Sequence, residues 1–508
     1  MKRAIAGLIL AALAFPALAA AHLEQFTSAD LPEPGWEYVG RTLGPPLPAW
    51  EAPPRARGFE LLGHSPLLNR GMNAALAVHG DHVYVGSRTD GSHLNAGVLV
   101  VDASDPSAPE VVHEIGPPNE GNVGETSREL RVLPDKDLLM VLNHACSELI
   151  HRCASPSLTG RSQVVSTIRF YDIAGENAAR PRLVSTYFPS RSAPQQPHEV
   201  FVWTDPQRPE RVLLYQSTPS SDSSGRENLI VTDASGARQG EFTELAKWTT
   251  RIGNPDRDNR LHSLTVSPDG RRAYLAYLGG GFLVADTSDF ADGVADPQVR
   301  LVTPVEDRVF WTDPGAHSAI KVPGRDYALV TDEVYGKLGG VLPDHGCPWG
   351  WVRMIDIADE TAPRLAAEYR LPVNDPATCA AVPPDRENLS SFSSHNPTLT
   401  RNLAFVTWHS AGLQAIDVSS PAQPRPAAEF VPAPLDFVQT EDPALSMGRD
   451  KVVMWSFPVI QDGLIYVVDV RNGLYILRYD GPHAREVSRV GFLDGNSNSG
   501  DAVRLEGG

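Results

Sequence analysis

The chain has 508 residues, with 62 Asp and Glu against 44 Lys and Arg and a formal net charge of −18 at pH 7. That acidic balance, with no cluster of Lys or Arg, argues against a nucleic-acid partner, because phosphate binding needs a basic face. Hydrophobic residues make up 42% of the chain, enough to bury a large core, and no transmembrane segment is read in it.

Residues 1–21 read as a secretory signal peptide: Met1-Lys2-Arg3 supplies the positive start, Ala4 to Ala14 the apolar core, and Ala17-Leu18-Ala19 a small-x-small cleavage pattern. The expected location is therefore secreted or periplasmic. Residues 22–57 hold Pro32, Pro34, Pro45, Pro46, Pro48, Pro53 and Pro54 and predict an extended arm over the surface. Residues 58–492 are built of short apolar runs rich in branched side chains and bounded by Asp, Ser, Gly and Pro, which read as strands.

One strand pattern returns through this region. It reads Val98-Leu99-Val100-Val101-Asp102, then Arg169 to Asp172, Leu229 to Asp233, Phe282 to Asp286, Arg353 to Asp356 and Leu413 to Asp417, with Leu474 to Leu477 lacking the final Asp. Units of about 40 to 50 residues with four strands each are the mark of a propeller. The prediction is all-β: a seven-bladed β-propeller with four-stranded antiparallel blades and long inserted loops, the blades starting near 72, 125, 197, 261, 316, 394 and 451. In the fourth unit, His262 to Val266 is a first strand, Ser267-Pro268-Asp269-Gly270 a tight turn, and Arg272 to Tyr277 its partner. Phe59 to Leu62 is a candidate to close the ring on blade seven, in competition with Arg485 to Arg489. Residues 493–508 read as a flexible tail. Insertions at 217–226, 336–347 and 374–394 are long enough to cover one face.

These units resemble the LVIVD-repeat proteins, secreted or surface bacterial β-propellers, on the strength of Gly97 to Pro106 and of Leu413 to Pro421. The resemblance spans nearly all of residues 59 to 492 and implies the propeller fold; it brings no single activity with it. Units three and seven depart from the pattern.

All four cysteines follow the signal segment, and an exported chain meets oxidising conditions, so the pairs Cys146–Cys153 and Cys347–Cys379 are expected as disulfides stapling insertions.

The functional expectation rests on equivalent slots. Aligned on His262, the first-strand slot holds Asn73, Arg128, His198, His262, His317, His395 and Trp455. First strands are innermost, so these residues ring one mouth of the central channel, and four imidazoles would converge there. The second strand returns to the same face and ends at Arg88, His144, Thr218, Leu278, Glu333, His409 and Val470. Imidazole without thiolate suits a transition metal, Fe, Cu or Zn. His198, His262, His317 and His395 are the expected ligands, Glu333 the residue orienting one of them, and His409 or His144 the acid or base. Arg128, beside Glu125, is either an anion-binding residue at the same mouth or half of a structural ion pair. The expected role is a metal-dependent oxidoreductase acting on a small molecule. The alternative is a non-catalytic module presenting its loops to a surface ligand. Gly-x-Ser-x-Gly, Walker and His-Glu-x-x-His motifs are missing from the sequence.

Overall fold

A computed structural model describes residues 54–116, 123–146, 153, 166–190, 196–219, 226–252, 260–311, 315–334, 349–380, 391–442 and 451–507. The signal-type segment and most of the Pro-rich arm lie outside these residues, as does the expected Cys347–Cys379 pairing. The chain folds as seven antiparallel sheets, each ordered from an innermost to an outermost strand. Blade four runs Ser263–Val266, Arg272–Ala276, Phe282–Asp286 and Arg300–Leu301. Its first hairpin turns at Gly270, whose φ is +78° and where a Cβ would come within 2.5 Å of the Trp203 ring. The Trp203 indole in turn donates to the Pro268 carbonyl at 3.1 Å, fastening blade three to blade four.

The repeated Asp has a local cause. At the end of the third strand its carboxylate accepts from the backbone N–H two residues on, at 2.8–3.3 Å, in Asp102, Asp172, Asp233, Asp286, Asp356 and Asp417. Each is an Asx turn that directs the chain toward the outermost strand. The apolar alternation of the strands packs blade on blade: Leu76, Val78, Val83 and Val85 meet Val459, Tyr466 and Val468 of blade seven. The core therefore lies between blades, which leaves the channel lining to polar side chains.

Closure is made from both ends of the chain. Phe59–Ser65 pairs with Gly473–Tyr479 and completes blade seven, while the competing stretch is a short helix, Ala484–Val487. Arg55–Arg57, expected in the arm, adds a fifth strand to blade six, where Arg55 Nε lies 3.2 Å from Glu429. The ring is thus held closed by strands from both ends of the chain.

The expectation of a flexible tail at 493–508 is corrected. Phe492–Asp494 pairs with Val459–Gln461 on the channel side of blade seven. The chain then reaches blade three: Val202 N–H donates to the Asn496 carbonyl and Asn498 N–H to the Val202 carbonyl, both at 3.2 Å. Asn498 also accepts from the Thr204 N–H at 2.7 Å and donates to the carbonyls of Thr204 and Pro268 at 2.8 and 3.1 Å. A helix, Ala502–Gly507, follows, and its Glu506 pairs with Lys321. The innermost strands leave backbone groups facing the channel, and this segment pairs with those of blades seven and three. It does so toward the far ends of those strands, away from the histidine mouth.

Candidate metal centre

The slot alignment brings together the residues it named. The rings of His198, His262, His317, His395 and Trp455 follow one another around the mouth, with centroids 4.4, 4.0, 4.1 and 5.0 Å apart. His262, His317 and His395 are at most 1% exposed and His198 is 7% exposed. Each stands at or just before the start of an innermost strand, where the backbone is already paired: His198 N–H to Ser217, His262 N–H to Ala276 and His395 N–H to Thr407, at 2.7–2.9 Å.

The second-strand slot delivers Glu333 and His409 into the same cluster. Glu333 places Oε2 3.3 Å from His317 Nε2, and Oε1 3.0 Å from His395 Nε2 and 3.7 Å from His409 Nε2. The expected role of Glu333, behind a ligand, differs from this position: it faces the Nε2 atoms themselves. Next to it, buried Asp332 is held by Arg353, by the Trp311 indole at 2.9 Å and by the Trp351 N–H at 3.2 Å, which fixes the end of the strand that carries Glu333. His409 has φ +27°, unusual for a residue with a side chain. The tight turn from Trp408 to Gly412 sets that conformation, and Met454 N–H donates to the His409 carbonyl at 3.1 Å.

The Nδ1 atoms face away from the cluster. His262 Nδ1 donates to the His317 carbonyl at 3.2 Å and His395 Nδ1 to the Trp455 carbonyl. His317 Nδ1 meets Ser318 Oγ, and His409 Nδ1 meets Ser391 Oγ, both at 2.9 Å. Carbonyl oxygens only accept, so in neutral His262 and His395 the proton sits on Nδ1 and the Nε2 lone pair faces the hub. Burial favours the neutral form of His317, His395 and His409. It pulls the His317 pKa down to about 4, helped by neighbouring His395. It lowers that of His395 against the pull of Glu333, and holds that of His409 well below the ordinary range, helped again by His395.

Other expected residues take flanking places. His144 is half-buried, its ring 6.0 Å from that of His198, and its Nδ1 donates to the Ala145 carbonyl at 2.9 Å. Arg128 and Arg88 carry their guanidinium carbons 5.2 and 4.9 Å from the Trp455 ring centre, a pair of cation–π contacts. Glu125 pairs with Arg169 at 2.8 Å and Arg88 with Asp442 at 2.7 Å.

Sequence reasoning missed Glu199 and Glu129. The position after the slot reads Ala74, Glu129, Glu199, Ser263, Ser318, Asn396 and Ser456, and its six polar members are all buried. The same alignment, shifted by one residue, carried that signal. Burial, together with the charge of Glu129, raises the Glu199 pKa well above the carboxylate range, and burial raises that of Glu129. Among the described residues, donor atoms within 4.8 Å of one another form three triads: His198, Glu199 and His262; His262, His317 and Glu333; Glu333, His395 and His409. Buried His and Glu groups of this kind can hold a metal ion.

Residues 70–115, blade one, match the LVIVD repeat. No curated protein matches the chain. Among solved structures, the chain is similar to Sqt1 from Chaetomium thermophilum, at 13% identity over 82% of this chain and 86% of that one with a TM-score of 0.44. It is likewise similar to the periplasmic gluconolactonase PpgL of Pseudomonas aeruginosa, at 14% identity over 78% of this chain and 95% of that one with a TM-score of 0.44. The class these findings define is a seven-bladed β-propeller containing an LVIVD repeat.

Proposed function

We propose that this propeller binds a transition metal, Fe, Cu or Zn, at its channel mouth through His198, His262, His317 and His395, joined by Glu333 and His409. We further propose that the centre serves an oxidoreductase-type reaction on a small molecule. One contact carries the reading. His395 gives its Nδ1 proton to the Trp455 carbonyl, so its Nε2 lone pair lies 3.0 Å from a carboxylate oxygen of Glu333. With Glu333 ionised, two acceptors at that distance repel, and burial opposes placing a second proton on the ring. A cation between them turns the repulsion into two bonds.

A bound ion would supply Lewis acidity or electron transfer there. The chain's own residues do the rest. Glu333 offsets positive charge in a buried site. Arg128 and Arg88, over the face of Trp455, offer a cationic wall for an anionic or polar group of the substrate. His144, the most exposed of these imidazoles, is placed to pass protons to solvent. Export is supported by the signal-type N-terminus and by the Cys146–Cys153 disulfide. Among the described residues no helix is long and apolar enough to cross a membrane.

Burial of His262, His317, His395 and His409 to 1% or less favours a second reading, in which the ion is a staple and the propeller a non-catalytic binding module. Structural sites are closed and catalytic ones keep an open position. Metal analysis of the purified protein tests the shared claim: stoichiometric Fe, Cu or Zn is expected, and a lower content in His317→Ala. A metal-free wild type after reconstitution would sink both readings. Azide added to Co(II)-loaded protein separates them, since only an open position shifts the visible spectrum.

A further inference from the structure

We propose that the mouth holds two metal ions bridged by Glu333, an inference that rests on the metal-binding reading and adds a number and a partition to it. The donors divide around the two oxygens of one carboxylate. Oε2 faces His317 at 3.3 Å, and His317 forms a triad with His262 and Glu333. Oε1 faces His395 at 3.0 Å and His409 at 3.7 Å, the second triad that Glu333 shares. Ligands bound to one ion by bonds of about 2.1 Å stand about 3.0 to 3.4 Å apart at ordinary coordination angles. The Glu333 contacts with His317 and His395 fall in or close to that span on opposite oxygens, and the one with His409 lies just beyond it.

These two triads share Glu333 and no histidine, so an ion drawn to His262 and His317 on one oxygen leaves His395 and His409 to the other. A carboxylate bridging through both oxygens sets its ions about 3.5 to 4 Å apart, the spacing of two-metal centres. The second-shell contacts agree with the partition. His262 and His395, one from each triad, both donate Nδ1 to a backbone carbonyl, and His317 and His409, again one from each, both meet a serine hydroxyl. The ions would thus receive the same kind of support: two imidazoles, one backed by a carbonyl and one by a hydroxyl, plus one carboxylate oxygen. The remaining triad, His198 with Glu199 and His262, draws on the same His262. With Nδ1 engaged at the His317 carbonyl, His262 has only Nε2 to give, so this triad does not add a third ion, and His198 stands as a further donor to the ion that His262 holds.

The test is titration of the metal-free, full-length protein with Co(II), read by visible absorption and by metal content after desalting. The expected break lies at two equivalents, with His409→Ala and His262→Ala each keeping one. Saturation of the wild type at one equivalent overturns the two-ion inference and leaves the metal-binding reading standing; retention of none overturns both. Wild-type stoichiometry needs no variant, so a misfolded mutant does not decide the matter. The bridge has its own readout. Protein loaded with two Cu(II) should show an integrated electron-spin signal well below its copper content, because spins joined through a carboxylate couple. A full spin count at two equivalents overturns the bridging role of Glu333.

Discussion

Glu333 Oε1 lies 3.0 Å from His395 Nε2, although the two residues come from different blades. The contact joins the end of blade five's second strand to the start of blade six. Glu333→Gln keeps the size of the side chain and removes its charge and one bridging oxygen. Changing a residue that merely supports a ligand costs about 10- to 100-fold in metal affinity, so loss of Glu333 itself is expected to cost at least ~100-fold. Competition with a chelator of known affinity measures this; wild-type affinity in the variant removes Glu333 from the site.

The apoprotein should lose stability in mild acid. Burial holds the His317 pKa at about 4, against 6.5 in an unfolded chain. Below pH 6.5 the unfolded state takes up a proton that the folded state refuses, so folding stability falls as the pH drops toward 4 and levels off beneath it. His317 alone accounts for on the order of 3 kcal/mol across that window, and His395 and His409 act in the same direction. Urea melts of metal-free protein at pH 7 and pH 4.5 check this. Equal stability at the two values contradicts neutral, buried imidazoles.

Cys146–Cys153 is a disulfide between residues only seven apart in sequence. For so short a ring the chain-entropy account gives about 2 to 3 kcal/mol. The double variant Cys146→Ser, Cys153→Ser should unfold earlier by roughly that amount in denaturant. An unchanged midpoint assigns the bridge no role in stability.

Asn498 spans blades three and four with three hydrogen bonds. Asn498→Ala leaves the Thr204 N–H and two carbonyls without that partner, at a cost of about 1–3 kcal/mol. Hydrogen exchange at Thr204 should rise sharply in the variant. If it stays protected, the C-terminal segment is not what covers that strand.

Much of this was legible in the sequence, for reasons that differ from residue to residue. Six of the seven blades followed from the Asx-turn aspartates, each demanded by the same local turn, and the seventh from its strand Leu474 to Leu477. The histidine slots followed from strand register, since innermost strands of a closed ring have one arrangement. Glu333 was visible as a neighbour but not as a member of the cluster: its reach across to blade six depends on the inter-blade packing, which no single repeat encodes. Glu199 was hidden for a simpler cause, being one position away from the slot in view. The path of residues 492–499 was unreadable because Asp, Asn, Ser and Gly in a row say only that the chain turns. What they pair with is the unoccupied inner edge of blades seven and three, a feature of the assembled wheel.

Drawing the cluster from four separate blades imposes an order of events. Half a molecule has nothing to offer an ion beyond loose imidazoles, since His395, His409 and the blade-seven strand that Phe59–Ser65 waits to pair with are made late. If the proposed ions bind, loading would then be the last act of maturation, and a copy lacking one of those blades would come out short of donors.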